Sequence, residues 1–265
     1  MRVGMAQIEI PWHSYKENQK KCRDCFKAAK EQEIDILVFP EMTLTGFDVH
    51  SQKLTEKEEE IKQFFDGLTE EYGICAVYGY SGKGQSKNRN HLRMTDSGTP
   101  LMEYEKIHPF SYGAEGKYFE GGDRVVTCSF RGEVFSGMIC YDLRFPEIFQ
   151  AASQKSSCIF VIANWPEVRA IQWNALLKAR AIENQCYIVG VNCTGQSGSL
   201  QYNGMSAAYR PDGTLIAGEQ KEEGLIMAEL DFSWLREYQK EFPFKQDRRL
   251  ELYSQFYRNE DKRES

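Results

Sequence analysis

No apolar run in this 265-residue sequence approaches the roughly 18 residues needed to cross a bilayer, so no membrane-spanning helix is expected. Basic charge is also short: 33 Lys and Arg against 39 Asp and Glu leave a net charge of −6, which argues against a nucleic-acid or anionic-membrane partner. The opening Met1-Arg2-Val3-Gly4-Met5-Ala6-Gln7-Ile8 alternates like a strand and lacks the apolar centre and cleavage site of a secretory signal. Eight cysteines are scattered through apolar runs, which is not the pattern of a small disulfide scaffold, and a reducing cytoplasm is the expected location. Neither a long linker nor a low-complexity tract breaks the chain. The expectation is one domain over 1–265 with a polar tail from about 244, and 41% hydrophobic residues give it ample core.

What is present is an alternation of strand-like and helix-like segments. Ser14-Tyr15-Lys16-Glu17 reads as a capping box opening a helix with Cys22, Cys25, Phe26 and Ala29 on one face. A strand at Ile34–Pro40 follows. Thr55-Glu56-Lys57-Glu58 reads as a second capping box, before a helix that buries Ile61, Phe64, Phe65 and Leu68. Strands are predicted at Ile74–Tyr80, His91–Thr95 and Leu101–Tyr104, the last two joined by the turn Asp96-Ser97-Gly98-Thr99-Pro100. The second half repeats the theme, with strands at Val125–Phe130, Glu133–Cys140, Cys158–Ala163, Tyr187–Asn192 and Gly224–Leu230. Its helices are predicted at about Pro146–Lys155 and Ile171–Asn184, with a third capped by Asp231. Pro211-Asp212-Gly213 marks a turn between short strands near 206–209 and 214–217. The end, from Phe244, carries Tyr253, Phe256 and Tyr257 and is either frayed or docked on a neighbouring subunit. Hairpin-linked and helix-linked strands together imply mixed sheets. Two similar halves suggest two sheets face to face with helices outside, a four-layer α-β-β-α sandwich.

Three strand ends carry reactive side chains. Ile36-Leu37-Val38-Phe39-Pro40-Glu41 ends in a carboxylate, Leu101-Met102-Glu103-Tyr104-Glu105-Lys106 in an ammonium, and Val134–Ile139 in the Cys140 thiol. If these strands lie side by side, the three groups meet at one sheet edge, where α/β sites form. Backbone N–H groups after Cys140 would favour a thiolate nucleophile. Alone, each residue has a plainer reading: a cysteine ending an apolar strand is usually a packing residue, and a lone Glu or Lys a solvated edge charge. Cys22-Arg23-Asp24-Cys25 has metal or redox spacing, but its thiols share an apolar helix face and no second pair exists, so packing is expected. His108 is read as structural rather than as a base. Gly79, Gly82 and Gly84 lack phosphate-loop spacing and are read as hairpin glycines, with Lys83, Lys87 and Arg89 on a solvated tip.

Taken together, Glu41 after Phe39-Pro40, Lys106 in Glu105-Lys106-Ile107-His108, and Cys140 in Cys140-Tyr141-Asp142-Leu143-Arg144-Phe145-Pro146-Glu147 resemble the Glu-Lys-Cys triad of the nitrilase superfamily, the carbon-nitrogen hydrolases. The likeness runs from Val3 to about Tyr253. It implies the α-β-β-α sandwich, pairing into dimers or larger homo-oligomers, and a second glutamate at Glu115 within Gly113-Ala114-Glu115-Gly116-Lys117. The chemistry that follows is acyl transfer. Cys140 attacks an amide carbonyl, Glu41 moves protons, and Lys106 with a backbone N–H near Tyr141 stabilises the oxyanion. Glu115 would orient the amide and keep Lys106 charged. No metal or organic cofactor is implied.

The run from Cys140 to Glu147, with Ala163-Asn164-Trp165-Pro166, is similar to the ω-amidase branch, whose substrates are monoamides of small dicarboxylates such as 2-oxoglutaramate and 2-oxosuccinamate. Nitrilases carry Trp-Glu after the cysteine and ureido-acid hydrolases Asn-Asp-Arg; this chain has neither. Other carbon-nitrogen hydrolase activities, and a non-catalytic interaction module, are the competing readings, with a redox protein built on Cys22 and Cys25 behind them. An ω-amide acid needs a cation, and Arg144 is the nearest candidate, its competing role being an ion pair with Asp142 or Glu147. Phe47, Tyr141 and Trp165 are placed as pocket walls.

Overall fold

A computed structural model describes residues 1–49 and 54–259. In chain order its strands are β1 (Arg2–Gln7), β2 (Ile36–Val38), β3 (Cys75–Lys83), β4 (Asn88–Asp96), β5 (Thr99–Glu105), β6 (Thr127–Phe130), β7 (Glu133–Ile139), β8 (Cys158–Ala163) and β9 (Tyr187–Asn192). These are followed by β10 (Thr194–Ser197), β11 (Leu200–Asn203), β12 (Ala207–Tyr209), β13 (Leu215–Gly218) and β14 (Gly224–Glu229). The helices are α1 (Tyr15–Glu31), α2 (Glu58–Tyr72), α3 (Glu115–Tyr118), α4 (Pro146–Ala152), α5 (Ala170–Asn184), α6 (Phe232–Glu241) and α7 (Leu250–Asn259). One six-stranded sheet runs β14-β1-β2-β3-β4-β5 and a second runs β13-β12-β9-β8-β7-β6. Both are mixed: β1, β2 and β3 are parallel neighbours, as are β7, β8 and β9, and the flanking pairs are antiparallel. The expected four-layer α-β-β-α sandwich is what forms.

Strand alternation explains the layers, because successive side chains point to opposite faces of a sheet. In β1 to β3, Val3, Met5, Ile36, Val38, Cys75 and Val77 face the second sheet and join Phe135, Met138, Phe160 and Ile162 in one core. Their neighbours Ala6, Leu37, Ala76, Tyr78 and Tyr80 face the helices and pack with Phe26 of α1 and Ile61, Phe65 and Leu68 of α2. β8 is buried along its whole length, as a central parallel strand covered on both faces must be. Cys22 and Cys25 sit in or against the helix-side core as free thiols, and burial pushes Cys25 up to about 12; packing, rather than redox chemistry, is their observed role.

Several local readings need correction. Ser14 precedes α1, but its hydroxyl makes no cap bond and reaches the Trp12 carbonyl instead. Thr55 lies inside a short 3-10 turn, Leu54–Lys57, so α2 starts only at Glu58 and that capping box is not formed either. The helix entered at Pro146 stops at Ala152, short of Lys155. The hairpin of β10 and β11 and the single turn α3 were not anticipated. Asp231 does cap α6, accepting from the Ser233 and Trp234 amides. The tail is docked at its base on its own chain: Lys245 donates to the Ser153 carbonyl (2.7 Å) and Arg248 to Asn184 Oδ1 (3.0 Å). It continues as α7, with Tyr253, Phe256 and Tyr257 exposed; residues 260–265 lie outside the described residues.

Arg89 is not on a solvated tip. Its guanidinium is held by Glu105 and Glu120, joining β4 to β5 and to the segment after α3, while Lys87 donates to the Gly116 carbonyl. Gly84 does serve the hairpin turn, its amide donating to the Lys87 carbonyl. Gly79 does something else. It lies within β3 under the turn that follows β2, where a Cβ would stand 2.7 Å from the Met42 nitrogen and 2.9 Å from the Glu41 Cα. Thr43 straps that turn down: its amide donates to the Gly79 carbonyl (2.9 Å), and the Gly79 amide donates to its hydroxyl (3.2 Å). Two of the three nearest contacts a Cβ would meet are backbone, the third being Ile162 Cδ1 at 2.9 Å, so the turn cannot yield cheaply. Gly79→Ala is therefore expected to lower unfolding free energy by about 1–3 kcal/mol, the usual range for overpacking. Urea denaturation checks this, and an unchanged midpoint would contradict the close-approach argument.

Candidate functional site

Cys140 is the first residue after β7. Its φ of +46° throws the chain out of the strand into a 3-10 turn, Cys140–Arg144. A non-glycine residue in that region carries local strain of order 1–3 kcal/mol, and the surroundings hold it there. Buried Asp142 is the peg: its carboxylate accepts from the Ile139 amide (3.1 Å), the Tyr104 hydroxyl (2.8 Å) and the His108 amide (3.0 Å), and meets His108 Nδ1 at 2.9 Å. The His108 ring also stacks on Phe145 at 3.7 Å, so its role is structural, as expected.

Beside that turn the strand-end charges converge. Lys106 follows β5 and its amide donates to the Asn90 carbonyl of β4 (2.8 Å), which fixes its backbone. Its ammonium, 1% exposed, donates to Glu41 Oε1 (3.0 Å) and to Glu115 Oε2 and Oε1 (2.9 and 3.1 Å). Glu115 opens α3 and accepts from the Phe110 amide at 2.6 Å. Glu41 is fully buried: Oε1 also accepts from Asn90 Nδ2 (2.7 Å), and Oε2 from the Asn164 amide (2.9 Å). Asn90 Nδ2 reaches Glu115 Oε1 as well, at 3.1 Å, so one amide and one ammonium bridge both carboxylates. Glu41, Lys106, Glu115 and Cys140 are thus brought together as the sequence led one to expect.

The electrostatics follow from burial. Desolvation alone would lower the Lys106 pKa, but the Glu115 and Glu41 carboxylates outweigh it and hold the ammonium protonated, above lysine's ordinary range. Cys140 moves the opposite way from the thiolate expectation. Burial first, and the Glu41 charge second, push its thiol well above 9.0; Lys106 and the Asn164 amide only partly offset them. These surroundings favour the thiol over the thiolate.

A pocket opens above these groups. Its base is Cys140, Lys106 and Asn164; its walls include Phe47, Tyr141 and Trp165, all three as expected, together with Phe110, Leu200 and Tyr202. Leu200 and Tyr202 come from the unanticipated hairpin. Phe47 also turns its ring toward Lys106, 5.5 Å from the ammonium. Arg144 lines the pocket, stacked over Trp165 at 4.8 Å, with Nη2 donating to Gln172 Oε1 at 2.6 Å. The alternative ion pair with Asp142 or Glu147 is not formed, because Asp142 is spent on Tyr104, His108 and the Ile139 amide. Arg169 lines the same pocket. Among the described residues, no group of three or more His, Cys, Asp or Glu is placed to hold a metal ion.

Sequence reasoning missed Asn90, Asn164, Cys193, Arg169 and Gly79. Asn164 carried a usable signal, since it follows β8 directly as Cys140 follows β7. Its Nδ2 donates to the Glu41 carbonyl (2.7 Å), and Cys193 Sγ, just after β9, donates to its Oδ1 (3.1 Å). Asn90 sits mid-strand with no such mark. The charge arrangement makes a stability prediction: Lys106→Met leaves two buried carboxylates without their cation and should cost about 3–5 kcal/mol. Adding Glu115→Gln should recover part of that loss in urea titration. A double variant no more stable than the single one would contradict the coupling.

Residues 2–240 match the carbon-nitrogen hydrolase family model. The 2-oxoglutaramate amidase of Bacillus subtilis is 31% identical over 256 residues, covering 95% of this chain and 98% of that protein. Omega-amidase YafV of Escherichia coli is 31% identical over 215 residues, 80% of this chain and 84% of its own length. The NitN amidase of Nesterenkonia sp. superposes with a TM-score of 0.88 at 25% identity, covering 97% of this chain and 99% of that one. A CN-hydrolase superfamily protein of Xanthomonas campestris shares the fold, with a TM-score of 0.88 at 24% identity over 94% of this chain and 97% of its own. The chain belongs to the carbon-nitrogen hydrolase family and is an amidohydrolase, acting on carbon–nitrogen bonds of linear amides.

Proposed function

We propose that the protein is an ω-amidase, hydrolysing the terminal amide of small dicarboxylate monoamides such as 2-oxoglutaramate and 2-oxosuccinamate through a thioester on Cys140. The observation that carries the reading is a half-buried guanidinium, Arg144, with no carboxylate within 4.0 Å among the described residues, on the rim of a pocket floored by a thiol and a buried ammonium. A substrate with an amide at one end and a carboxylate at the other matches both ends. The names of the Bacillus and Escherichia relatives support the same class.

The steps follow from the charges. Glu41 takes the proton of the Cys140 thiol as sulfur attacks the amide carbon. The oxyanion forms against Lys106 and a backbone N–H at the Cys140–Arg144 turn, a role often worth about 3–4 kcal/mol per donor. Glu41 then gives its proton to the departing nitrogen, so ammonia leaves and the thioester remains. Water enters, Glu41 takes its proton, hydroxide attacks the acyl carbon, and the thiol is restored with release of the dicarboxylate. Glu115 keeps Lys106 charged throughout, so the ammonium retains its protons at neutral pH. Nucleophile, base and oxyanion charge are all supplied by side chains, so the reaction requires no metal or organic cofactor.

Ammonia release from 2-oxoglutaramate without added metal or nucleotide, lost in Cys140→Ala, is the expected result. Full turnover by Cys140→Ala would end the mechanism, and ammonia from simple nitriles but not from ω-amides would move the assignment to nitrilase. A second outcome concerns the thiol. Because its pKa is raised, the thiolate fraction at pH 7.5 lies below that of a free cysteine and reaches one half only above the ordinary thiol range. Modification of Cys140 by methyl methanethiosulfonate should therefore be slower than that of a free thiol at pH 7.5 and should accelerate with pH. Fast modification, unchanged down to pH 6, would mean a preformed thiolate.

A further inference from the structure

The pocket holds a second guanidinium, from Arg169, that neither the fold nor the proposed chemistry employs. Its backbone is fixed: its amide donates to the Pro166 carbonyl (3.0 Å) and its carbonyl accepts from Trp165 Nε1 (2.9 Å). Its side chain lies over the Phe110 ring at 5.6 Å, and Phe110 packs edge-on against Tyr141 at 5.0 Å. A cation–π contact of this kind uses no hydrogen-bond acceptor, so the guanidinium N–H groups stay available for one. Among the described residues, they meet no side-chain or backbone acceptor and no carboxylate within 4.0 Å, although Arg169 is half-buried. Arg144 differs in spending one donor on Gln172.

Among the described residues, the same pocket is lined by no carboxylate. Glu41 and Glu115, the carboxylates beneath it, are both committed to Lys106 and Asn90. A ligand reaching the two arginines therefore meets donors and positive charge, and among the described lining residues no carboxylate to pair with an ammonium. One carboxylate does not use up two guanidiniums when one of them presents all its donors, so a further acceptor beside the carboxylate is called for. A 2-oxo acid has that acceptor: its ketone oxygen lies next to the carboxylate and can share its plane.

Resting on the ω-amidase reading, we propose that Arg169 reads the 2-oxo group while Arg144 holds the adjacent carboxylate. The pair then selects ω-amides of 2-oxo acids over the matching amides that lack the oxo oxygen. It also disfavours L-glutamine and L-asparagine, whose α-ammonium would stand where the ketone oxygen sits, against a guanidinium with no counter-charge.

The test compares 2-oxoglutaramate with glutaramate, which has the same length and charge without the oxo oxygen, using the full-length protein and Arg169→Met. Loss of a charge-assisted hydrogen bond to the oxo oxygen should cut kcat/KM for 2-oxoglutaramate roughly 10- to 100-fold, mainly through KM, with glutaramate changing less than about 3-fold. The neutral Arg169→Gln variant should shift the ratio the same way, and it serves if the methionine variant folds poorly. The discrimination against L-glutamine should narrow in both. Equal losses on the two ω-amides, or no loss on either, overturn the role of Arg169 while leaving the ω-amidase reading intact. A wild-type protein that cleaves short neutral amides but neither ω-amide overturns that reading, and this inference with it.

Discussion

One buried ammonium sets the terms for the rest of the site. Lys106 stays charged out of water only because Glu41 and Glu115 stand within 3.1 Å on either side, and those carboxylates are tolerable only because Lys106, Asn90, Asn164 and the Phe110 amide satisfy them. The cluster carries two negative charges against one positive. That surplus favours the thiol form of Cys140, and in the proposed chemistry Glu41 is the group that takes its proton. Since the Lys106 pKa is raised by its partners, its contribution to stability is fully present below lysine's ordinary pKa and is lost only as pH climbs beyond it. Stability and the proposed chemistry therefore rest on the same three side chains near neutral pH.

The fold is arranged to make that cluster possible. Parallel triplets in the two sheets bring the ends of β2, β7 and β8 to a common edge, and β4 and β5 deliver Asn90 and Lys106 beside them. Gly79 lets the Glu41 turn lie directly on β3, and Asp142 pins the turn that carries Cys140. Catalytic geometry needs this kind of support, because a reactive group displaced by an ångström loses much of its effect.

Glu41, Lys106 and Cys140 were legible because each follows an apolar strand, and a polar group at that place in an α/β chain is exposed to a shared edge. The layers were legible for a similar reason: period-two burial in β1 to β3 and unbroken burial in β8 are written in the residue order. Asn90 was not legible, since a polar residue inside a strand looks the same whether it faces solvent or a carboxylate from a strand two places away. Gly79 was misread for a related reason. Its company with Gly82 and Gly84 suggested a hairpin, whereas the contact that requires it comes from a segment 38 residues earlier in the chain. The two capping boxes failed because hydroxyl and carboxylate spacing permits that bond without enforcing it. Ser14 found another acceptor, and Thr55 was drawn into a tighter turn.

The most direct test of the thioester account is nucleophile partitioning. The ω-amide and the ω-methyl ester of 2-oxoglutarate would each be turned over in the presence of hydroxylamine, and the ratio of hydroxamate to dicarboxylate measured for both. A common acyl group on Cys140 has no memory of its leaving group, so the two substrates should give the same ratio. Ratios that differ between amide and ester would mean that water attacks the substrate directly, and would contradict Cys140 as the carrier of the acyl group.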